Sequence, residues 1–138
     1  MTEGPARFDG RHDVELVVVL DCSDLDRSAT FWGGVLGYRA EPNSPGRYQQ
    51  LMPADGHGVK LLLQQVAELK VTKNRLHLDL RVPDLAAETA RVMALGAARV
   101  TDDPIEEYGW SWHVFTDPDG NEFCVLQPPK DAGDDRTF

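Results

Sequence analysis

Apolar and polar residues follow two different periods along this chain. Residues 17–20 form a short apolar run, and residues 77–82 alternate polar with apolar side chains, as a half-buried strand does. Each stretch precedes a segment in which core-type residues recur every three or four positions, over residues 25–36 and 85–95. Those positions are Leu25, Ala29, Trp32, Val35 and Leu36 in the first segment and Leu85, Thr89, Val92, Met93 and Leu95 in the second. The pattern therefore predicts two strand–helix units whose helices pack on a sheet.

Both predicted helices carry matching start and stop signals. Asp24 and Asp84 stand directly before the helical segments, where a carboxylate can accept hydrogen bonds from free backbone N–H groups. Gly37 and Gly96 stand directly after them, and glycine adopts the left-handed conformation of a helix end at little cost. The two copies superpose with one single-residue gap, so we interpret the chain as an internal repeat.

Further strand-like runs follow each helix. They cover residues 39–41, 48–52 and 59–65 in the first copy and 99–101, 110–116 and 122–127 in the second. Asp55-Gly56 and Asp119-Gly120 are typical of hairpin turns between the last two strands of each copy. The order β-α-β-β-β, twice, predicts an α+β fold of two modules, residues 14–66 and 75–127, joined by a linker at 67–74. The ends, residues 1–13 and 128–138, lack hydrophobic periodicity and are expected to be flexible tails.

Composition narrows the classes of partner. The 138 residues include 23 acidic and 14 basic side chains, a formal net charge of -9, with no basic stripe that would attract nucleic acid or an anionic membrane. No apolar run approaches the ~18 residues that span a bilayer, and the polar N-terminal segment does not resemble a signal peptide. Cys22 and Cys124 lack the number and spacing of a disulfide scaffold, so we expect reduced thiols in a cytoplasmic protein.

Two phrases carry a resemblance to a known superfamily. Residues 115–123, Phe-Thr-Asp-Pro-Asp-Gly-Asn-Glu-Phe, resemble the Asp-Pro-Asp-Gly-Asn hairpin of vicinal oxygen chelate proteins, the glyoxalase and bleomycin-resistance group. Residues 23–32 resemble that superfamily's Asp-Leu-x-x-Ser-x-x-Phe-Tyr helix start, with Trp32 in place of tyrosine, and residues 33–38 resemble its helix exit. The resemblance covers about residues 14–128. It implies two βαβββ modules that curl a mixed sheet around a concave cleft, commonly paired across a homodimer.

In this superfamily the cleft often holds a divalent metal through His, Glu or Gln at four strand positions. The resemblance places His77 and Cys124 at the two positions of the second module. It places Val17 at one position of the first module and Lys60 or Leu61 at the other, depending on where the hairpin gap is set. None of these three supplies such a donor, and catalytic zinc usually takes three protein ligands. We therefore expect no tight metal site and no cofactor, with His77 and Cys124 as the candidate ligands if a divalent metal binds.

Strand alternation selects the candidate cleft residues. His77, Asp79 and Arg81 share one face of a strand whose other face is apolar and should pack on a helix. Glu122 and Cys124 share a face of the last strand in the same way. Aromatic residues between 108 and 113 enter the preceding strand, where Trp112 or His113 is expected near the rim of the cleft. The predicted ligand-binding residues are His77, Asp79, Trp112, His113, Glu122 and Cys124.

Two functions from different classes fit these residues. The first is a protein that binds a small organic molecule in its cleft without a tight metal site, as the bleomycin-resistance relatives bind drugs without chemistry. The alternative is a metal-dependent lyase, isomerase or dioxygenase of the same superfamily, with His77 as a metal ligand or base and Asp79 assisting it. The residues assign no catalytic group, so whether the chain is an enzyme stays open. A homodimer is the expected assembly, with neither nucleic acid nor membrane as a partner.

Overall fold

The computed structural model describes residues 15–130, which contain two helices and nine strands. The first half comprises β1 (Val17–Cys22), α1 (Leu25–Leu36), β2 (Tyr38–Ala40), β3 (Tyr48–Pro53) and β4 (Lys60–Gln65). The second comprises β5 (Leu78–Arg81), α2 (Leu85–Leu95), β6 (Ala98–Arg99), β7 (Ile105–Glu107), β8 (Trp110–Thr116) and β9 (Glu122–Gln127). The tails predicted at 1–13 and 128–138 lie outside the described residues, apart from 128–130.

The strands form two open mixed sheets of the same design. The first sheet has the order β1-β4-β3-β2, and the second has the order β5-β9-β8-β6 with β7 also paired to β8. In each sheet the strand before the helix runs parallel to the last strand of its half, while the remaining pairs are antiparallel. The predicted α+β fold with a repeated module is therefore confirmed. The limits of the two modules stay a prediction.

The second sheet has one strand that the sequence pattern did not predict. The run expected at residues 99–101 is shorter, and β6 and β7 together follow the same edge of β8 with an irregular stretch between them. That stretch contains Pro104, which has no N–H to donate to a ladder, and two preceding aspartates typical of turns. The edge strand is therefore split rather than continuous.

The helix ends follow the predicted signals. The Asp24 side chain accepts a hydrogen bond from the Arg27 backbone N–H at 3.0 Å, and Asp84 accepts one from Ala87 at 3.1 Å. Gly37 ends α1 with φ 69°, in the left-handed region that favours glycine. With 12 and 11 residues, neither described helix is long and apolar enough to cross a membrane.

The helix faces follow the predicted stripe only in part. Phe31 and Ser28 of α1 are buried although the spacing did not select them. Met93 and Leu95 of α2 were expected in the core but are 43% and 36% exposed. The reason is that α2 buries a narrower stripe, centred on Leu85 and Val92.

One aromatic cluster joins the two halves into a common core. Phe31 and Trp32 of α1 lie with their ring centroids 6.0 and 5.1 Å from that of Phe123 on β9. Phe115 on β8 stacks on Phe123 at 5.5 Å. Because α1 packs on the second sheet as well as its own, the helix-facing sides of both sheets point inward. Their other sides face away from both helices.

The Asp-Pro-Asp-Gly-Asn hairpin is more than a turn. Its Asp117 is buried, and its carboxylate accepts hydrogen bonds from the backbone N–H groups of Asp119 and Asn121 at 2.9 and 2.8 Å. The same carboxylate accepts from Trp32 Nε1 at 3.0 Å. The tryptophan that replaces the superfamily's tyrosine thus donates to the hairpin of the other module.

We call Asp117, Asp119 and Asn121 the hairpin clasp, because all three hold the first half of the chain. Asp119 accepts from the backbone N–H and hydroxyl of Ser23, at 2.9 and 2.6 Å, and from Arg27 at 3.1 Å. Asn121 donates to the Asp21 carbonyl at 3.0 Å. The clasp therefore fixes the β8–β9 hairpin to the turn between β1 and α1.

Candidate functional site

A recess lies on the side of the second sheet that faces away from α1 and α2, the two helices of residues 15–130. On β8 and β9, side chains at odd and even positions point to opposite faces of the sheet. Phe115 and Phe123 lie in the common core, while the even-numbered residues of both strands form a second apolar cluster on the other face. The recess over that second cluster has a volume of about 330 Å³. Its floor consists of Trp112, Val114, Cys124 and Leu126. Its polar wall consists of Lys73, His77, Asp79, Glu107 and Glu122.

The structure brings together five of the six residues that the sequence selected: His77, Asp79, Trp112, Glu122 and Cys124. Asp79 lies directly opposite Cys124 in the β5–β9 pairing. Val114 pairs with Cys124 on the other side of β9, so the three strands contribute side chains to one surface. The recess is therefore a feature of β5, β9 and β8, with β7 and the linker at its edge.

His113 lies apart from the recess, contrary to its expected place near the rim. It follows Trp112 directly, and successive side chains on a strand point to opposite faces. The imidazole is buried, 2.8 Å from the Thr101 hydroxyl and 6.0 Å between centroids from the Phe115 ring. Burial, with a smaller contribution from Arg99, lowers the pKa of His113. His113 is therefore a neutral imidazole in the core, with the Thr101 hydroxyl as its polar partner.

Three of the selected side chains form one hydrogen-bonded group. The Nδ1 atom of His77 lies 3.0 Å from Oδ1 of Asp79, and the Cys124 thiol donates to the same carboxylate. Burial, then the negative charge and hydrogen bond of Asp79, raise the pKa of Cys124 to about 11. The thiol is therefore protonated near neutral pH, and a protonated thiol is a poor nucleophile and a poor metal ligand.

The linker supplies one wall of the recess. Lys73 donates to Glu122 at 2.5 Å, and the Asn74 side chain accepts from the Glu122 backbone N–H at 2.9 Å. The ammonium of Lys73 lowers the pKa of Glu122, so this carboxylate is held ionised. Glu122 is therefore already paired before any ligand arrives.

Four lining residues were missed by sequence reasoning. Val114 and Leu126 share the alternation of Trp112 and Cys124, so extending that pattern by two residues would have found them. Glu107 lies on β7, the strand that was not predicted. Lys73 lies in a linker without periodicity, and nothing in the sequence signals its contact with Glu122.

The register of the first sheet corrects one of the superfamily's metal positions. With Val17 superposed on His77, Leu61 opposite Val18 matches Phe123 opposite Leu78. The residue that corresponds to Cys124 is then Leu62, so the assignment to Lys60 or Leu61 was wrong. The two positions in the first sheet are thus the aliphatic residues Val17 and Leu62. Because two of the four positions lack a donor atom, the residues present do not fit the four-ligand metal centre of the superfamily.

The second sheet nevertheless holds a compact group of donor atoms. His77, Asp79 and Cys124 each offer one atom within 4.8 Å of the others. Two of the three side chains are exposed, and the thiol would have to lose a tightly held proton to bind a cation. These three residues could bind a metal ion, but all of them lie in the second half of the chain, whereas the superfamily's metal centre takes ligands from both modules.

In each half, a strand and a helix precede an antiparallel run of strands, and the first and last strands of the half pair in parallel. This architecture and the family match place the protein in the vicinal oxygen chelate class. A family model described as "Glyoxalase-like domain" matches residues 17–126. The chain therefore belongs to the glyoxalase-like domain family, within the glyoxalase, bleomycin resistance and dioxygenase superfamily. No curated protein matches the chain by sequence.

Solved structures share this fold at low sequence identity. The hypothetical protein SA1046 from S. aureus has 20% identity and a TM-score of 0.68, over 88% of this chain and 98% of that one. A FosX mutant from Listeria monocytogenes, complexed with Mn(II) and 1S,2S-dihydroxypropylphosphonic acid, has 16% identity and a TM-score of 0.67, over 83% and 89%. TnmS3, an antibiotic binding protein from Streptomyces sp. CB03234, has 25% identity and a TM-score of 0.58, over 86% and 99%. The first two show the fold alone.

Proposed function

We propose that this protein binds a small organic molecule in the recess of the second sheet, without the shared metal centre of its superfamily. The observation that carries the proposal is an apolar floor with a tryptophan, bounded by charged side chains, on the sheet face that points away from both described helices. Such a lining suits a molecule with an apolar body and a polar group. The similarity to TnmS3, described as an antibiotic binding protein, supports the same class of function.

Trp112 is the expected anchor of the ligand. Its ring lies among Val114, Leu126 and Cys124, and only part of its surface is buried. Contact with an aromatic ligand contributes about 0.5–1.5 kcal/mol beyond the burial of apolar area. His77 and Asp79 stand at the wall, where they can orient a polar group through hydrogen bonds.

A fragment screen tests the proposal. Saturation-transfer NMR on the wild type should detect binding of flat organic fragments, and Trp112→Leu should weaken that binding severalfold. Tyr108→Leu is the matched control, because Tyr108 is an exposed aromatic at the β7–β8 turn outside the recess. Equal binding by the wild type and the Trp112 variant would refute the proposal.

The second candidate function is a metal-dependent lyase, isomerase or dioxygenase, and the group His77, Asp79 and Cys124 is the observation in its favour. We expect purified protein to hold less than stoichiometric transition metal, because Val17 and Leu62 offer no donor atoms. Elemental analysis after dialysis against zinc, nickel or iron measures this. One equivalent of metal that is lost in His77→Ala would replace the binding proposal with the enzymatic one.

We further propose a homodimer in a reducing cytoplasm. The dimer is supported by apolar side chains in strongly exposed positions, namely Leu69 at 78%, Val71 at 85% and Leu76 at 80% in or beside the linker and Val19 at 51% on β1. Both β1 and β5 lie at the edge of their sheets in the described part of the chain. The compartment is supported by Cys22 and Cys124, which are free and buried.

A further inference from the structure

We infer that the recess selects a positively charged organic molecule, an amine, guanidine or ammonium group on an apolar or flat body. The inference rests on the proposed function and concerns the chemical class of its ligand. Among residues 15–130, three carboxylates line the recess, those of Asp79, Glu107 and Glu122, against one ammonium, that of Lys73. With one positive charge for three negative ones, the wall carries an excess of negative charge.

The pairing within the wall leaves two carboxylates for a ligand. Lys73 is bound to Glu122, so these two side chains neutralise each other. Asp79 accepts from the His77 ring and the Cys124 thiol, and Glu107 is exposed on β7. Among the ion pairs of residues 15–130, neither Asp79 nor Glu107 has a lysine or arginine partner. Each can therefore pair with a cation from solution.

Arg81 is the cationic residue of β5 that could compete with a ligand for Asp79, but its side chain lies outside the recess. It lies two residues beyond Asp79, with its guanidinium carbon 5.0 Å from the centroid of the Trp110 ring. It does not line the recess. The neighbouring Trp112 does, and its ring face attracts a cation that lies over it. An aromatic floor beside unneutralised carboxylates is the arrangement that binds an organic cation.

The pKa of the Cys124 thiol is affected by the same negative charges of the recess wall. After burial, the charges of Asp79 and Glu122 are among the causes that raise its pKa, whereas Lys73 opposes them only weakly. The chain as a whole has a formal net charge of -9, so its long-range field also attracts cations. The phosphonic acid in the FosX complex has the opposite charge, and at 16% identity that protein shares the fold alone.

Three probe molecules that share a naphthalene ring but differ in charge separate the effect of ligand charge on affinity from the effect of ligand shape. They are 1-naphthylmethylamine, 1-naphthylmethanol and 1-naphthoate, which are cationic, neutral and anionic at pH 7. Titrations followed by amide chemical shifts should show the amine binding about tenfold more tightly than the naphthoate, with the alcohol between them. Added salt should narrow this difference, because it screens exposed charges.

Two neighbouring glutamates on β7 provide a matched pair of variants. Glu107 shares the face of Trp110 and Trp112, whereas Glu106 pairs with Ser111 and points to the other face. Glu107→Gln and Asp79→Asn should each weaken binding of the amine severalfold, and Glu107→Gln should leave binding of the alcohol unchanged. Glu106→Gln makes the same change of charge one residue away and should leave both affinities unchanged.

The possible outcomes distinguish this inference from the function beneath it. If the naphthoate binds as tightly as the amine, or if Glu106→Gln acts like Glu107→Gln, selection of a cation by the recess is wrong while small-molecule binding stands. If none of the three probes shifts the amides of β8 and β9, the proposed function fails together with the inference.

Discussion

Trp112 and His113 are adjacent in the sequence and serve different environments. The even-numbered Trp112 joins the floor of the recess, and the odd-numbered His113 enters the layer between sheet and helices. The sequence predicted the correct face for His77, Asp79, Glu122 and Cys124, because residues two apart on a strand share a face. The opposite face of each strand carries the residues that pack in the core, Leu78 and Leu80 on β5 and Phe123 and Val125 on β9. Residues 110–113, Trp-Ser-Trp-His, alternate in the same way, so extending the two-residue period to β8 would have placed Trp112 and His113 on opposite faces.

Cys124 allows a direct test of the hydrogen-bonded group. Since Asp79 raises the pKa of Cys124 by its charge and as a hydrogen-bond acceptor, Asp79→Asn should move the midpoint of Cys124 alkylation to lower pH. Peptide mass spectrometry after iodoacetamide treatment at several pH values measures this. Cys22 is the internal control, because Asp119 and Asp117 are the carboxylates that affect its pKa. An unchanged pH profile for Cys124 in the variant would contradict the assigned contact.

The same shift predicts how stability depends on pH. A thiol pKa raised by folding, from 9.0 to about 11 for Cys124, means that the folded protein holds this proton more tightly than the unfolded chain. Its effect on the free energy of unfolding is therefore constant below pH 9 and becomes destabilising as the pH rises towards 11. Urea denaturation across this range should show stability falling, and a smaller fall in Asp79→Asn.

At the level of elements, the caps and turns were predictable and the contacts between modules were not. Asp24, Asp84 and Gly37 act within a few residues of their own position, so local sequence determines them. The hairpin clasp acts across the chain, joining Asp119 to Ser23 and Asp117 to Trp32. Such long-range pairing follows from how the two halves pack, which no local pattern encodes. The resemblance identified the hairpin without revealing this role.

Asp117→Asn tests the clasp. The amide replaces one carboxylate oxygen with an N–H₂ group, so a donor would face Trp32 Nε1 or the backbone N–H groups that Asp117 now accepts from. We expect a loss of about 2–3 kcal/mol in the free energy of unfolding, measured by urea denaturation.

Asp55→Asn is the matched control for that variant. Asp55 lies in the corresponding hairpin of the first sheet, where its exposed carboxylate accepts from the His57 backbone N–H at 2.9 Å. Its replacement should cost less than about 1 kcal/mol. Equal losses in the two variants would show that Asp117 only supports its own turn.

At the scale of the whole molecule, each sheet presents one face that neither helix covers. On the first sheet this face carries Val17, Val19 and Leu62, and Val19 is half exposed. Isolated exposed apolar residues are common on proteins, but here three more large ones lie in or beside the linker. The repeat in the sequence predicted both sheets. It did not predict the partners in solution, because hydrophobic periodicity does not show which exposed surface binds another chain.

The dimer proposal makes a measurable prediction. Light scattering should give twice the 15.3 kDa chain mass at micromolar concentrations. Val19→Asp combined with Val71→Asp should produce a folded monomer, because charges would then occupy the exposed apolar surface. Val100→Asp, at an exposed valine beside β6, should remain dimeric. A wild-type particle with the mass of one chain would exclude the dimer.

The position of a bound fragment on the protein shows whether small molecules bind in the recess of the second sheet. The strongest hit of the fragment screen should be titrated into isotope-labelled protein while backbone amide shifts are recorded. We expect the largest shifts at Trp112, Val114, Cys124 and Leu126, on the recess side of β8 and β9. Shifts concentrated instead on β1 and β4 would show that the ligand binds to the first sheet, and binding in the recess of the second sheet would be wrong.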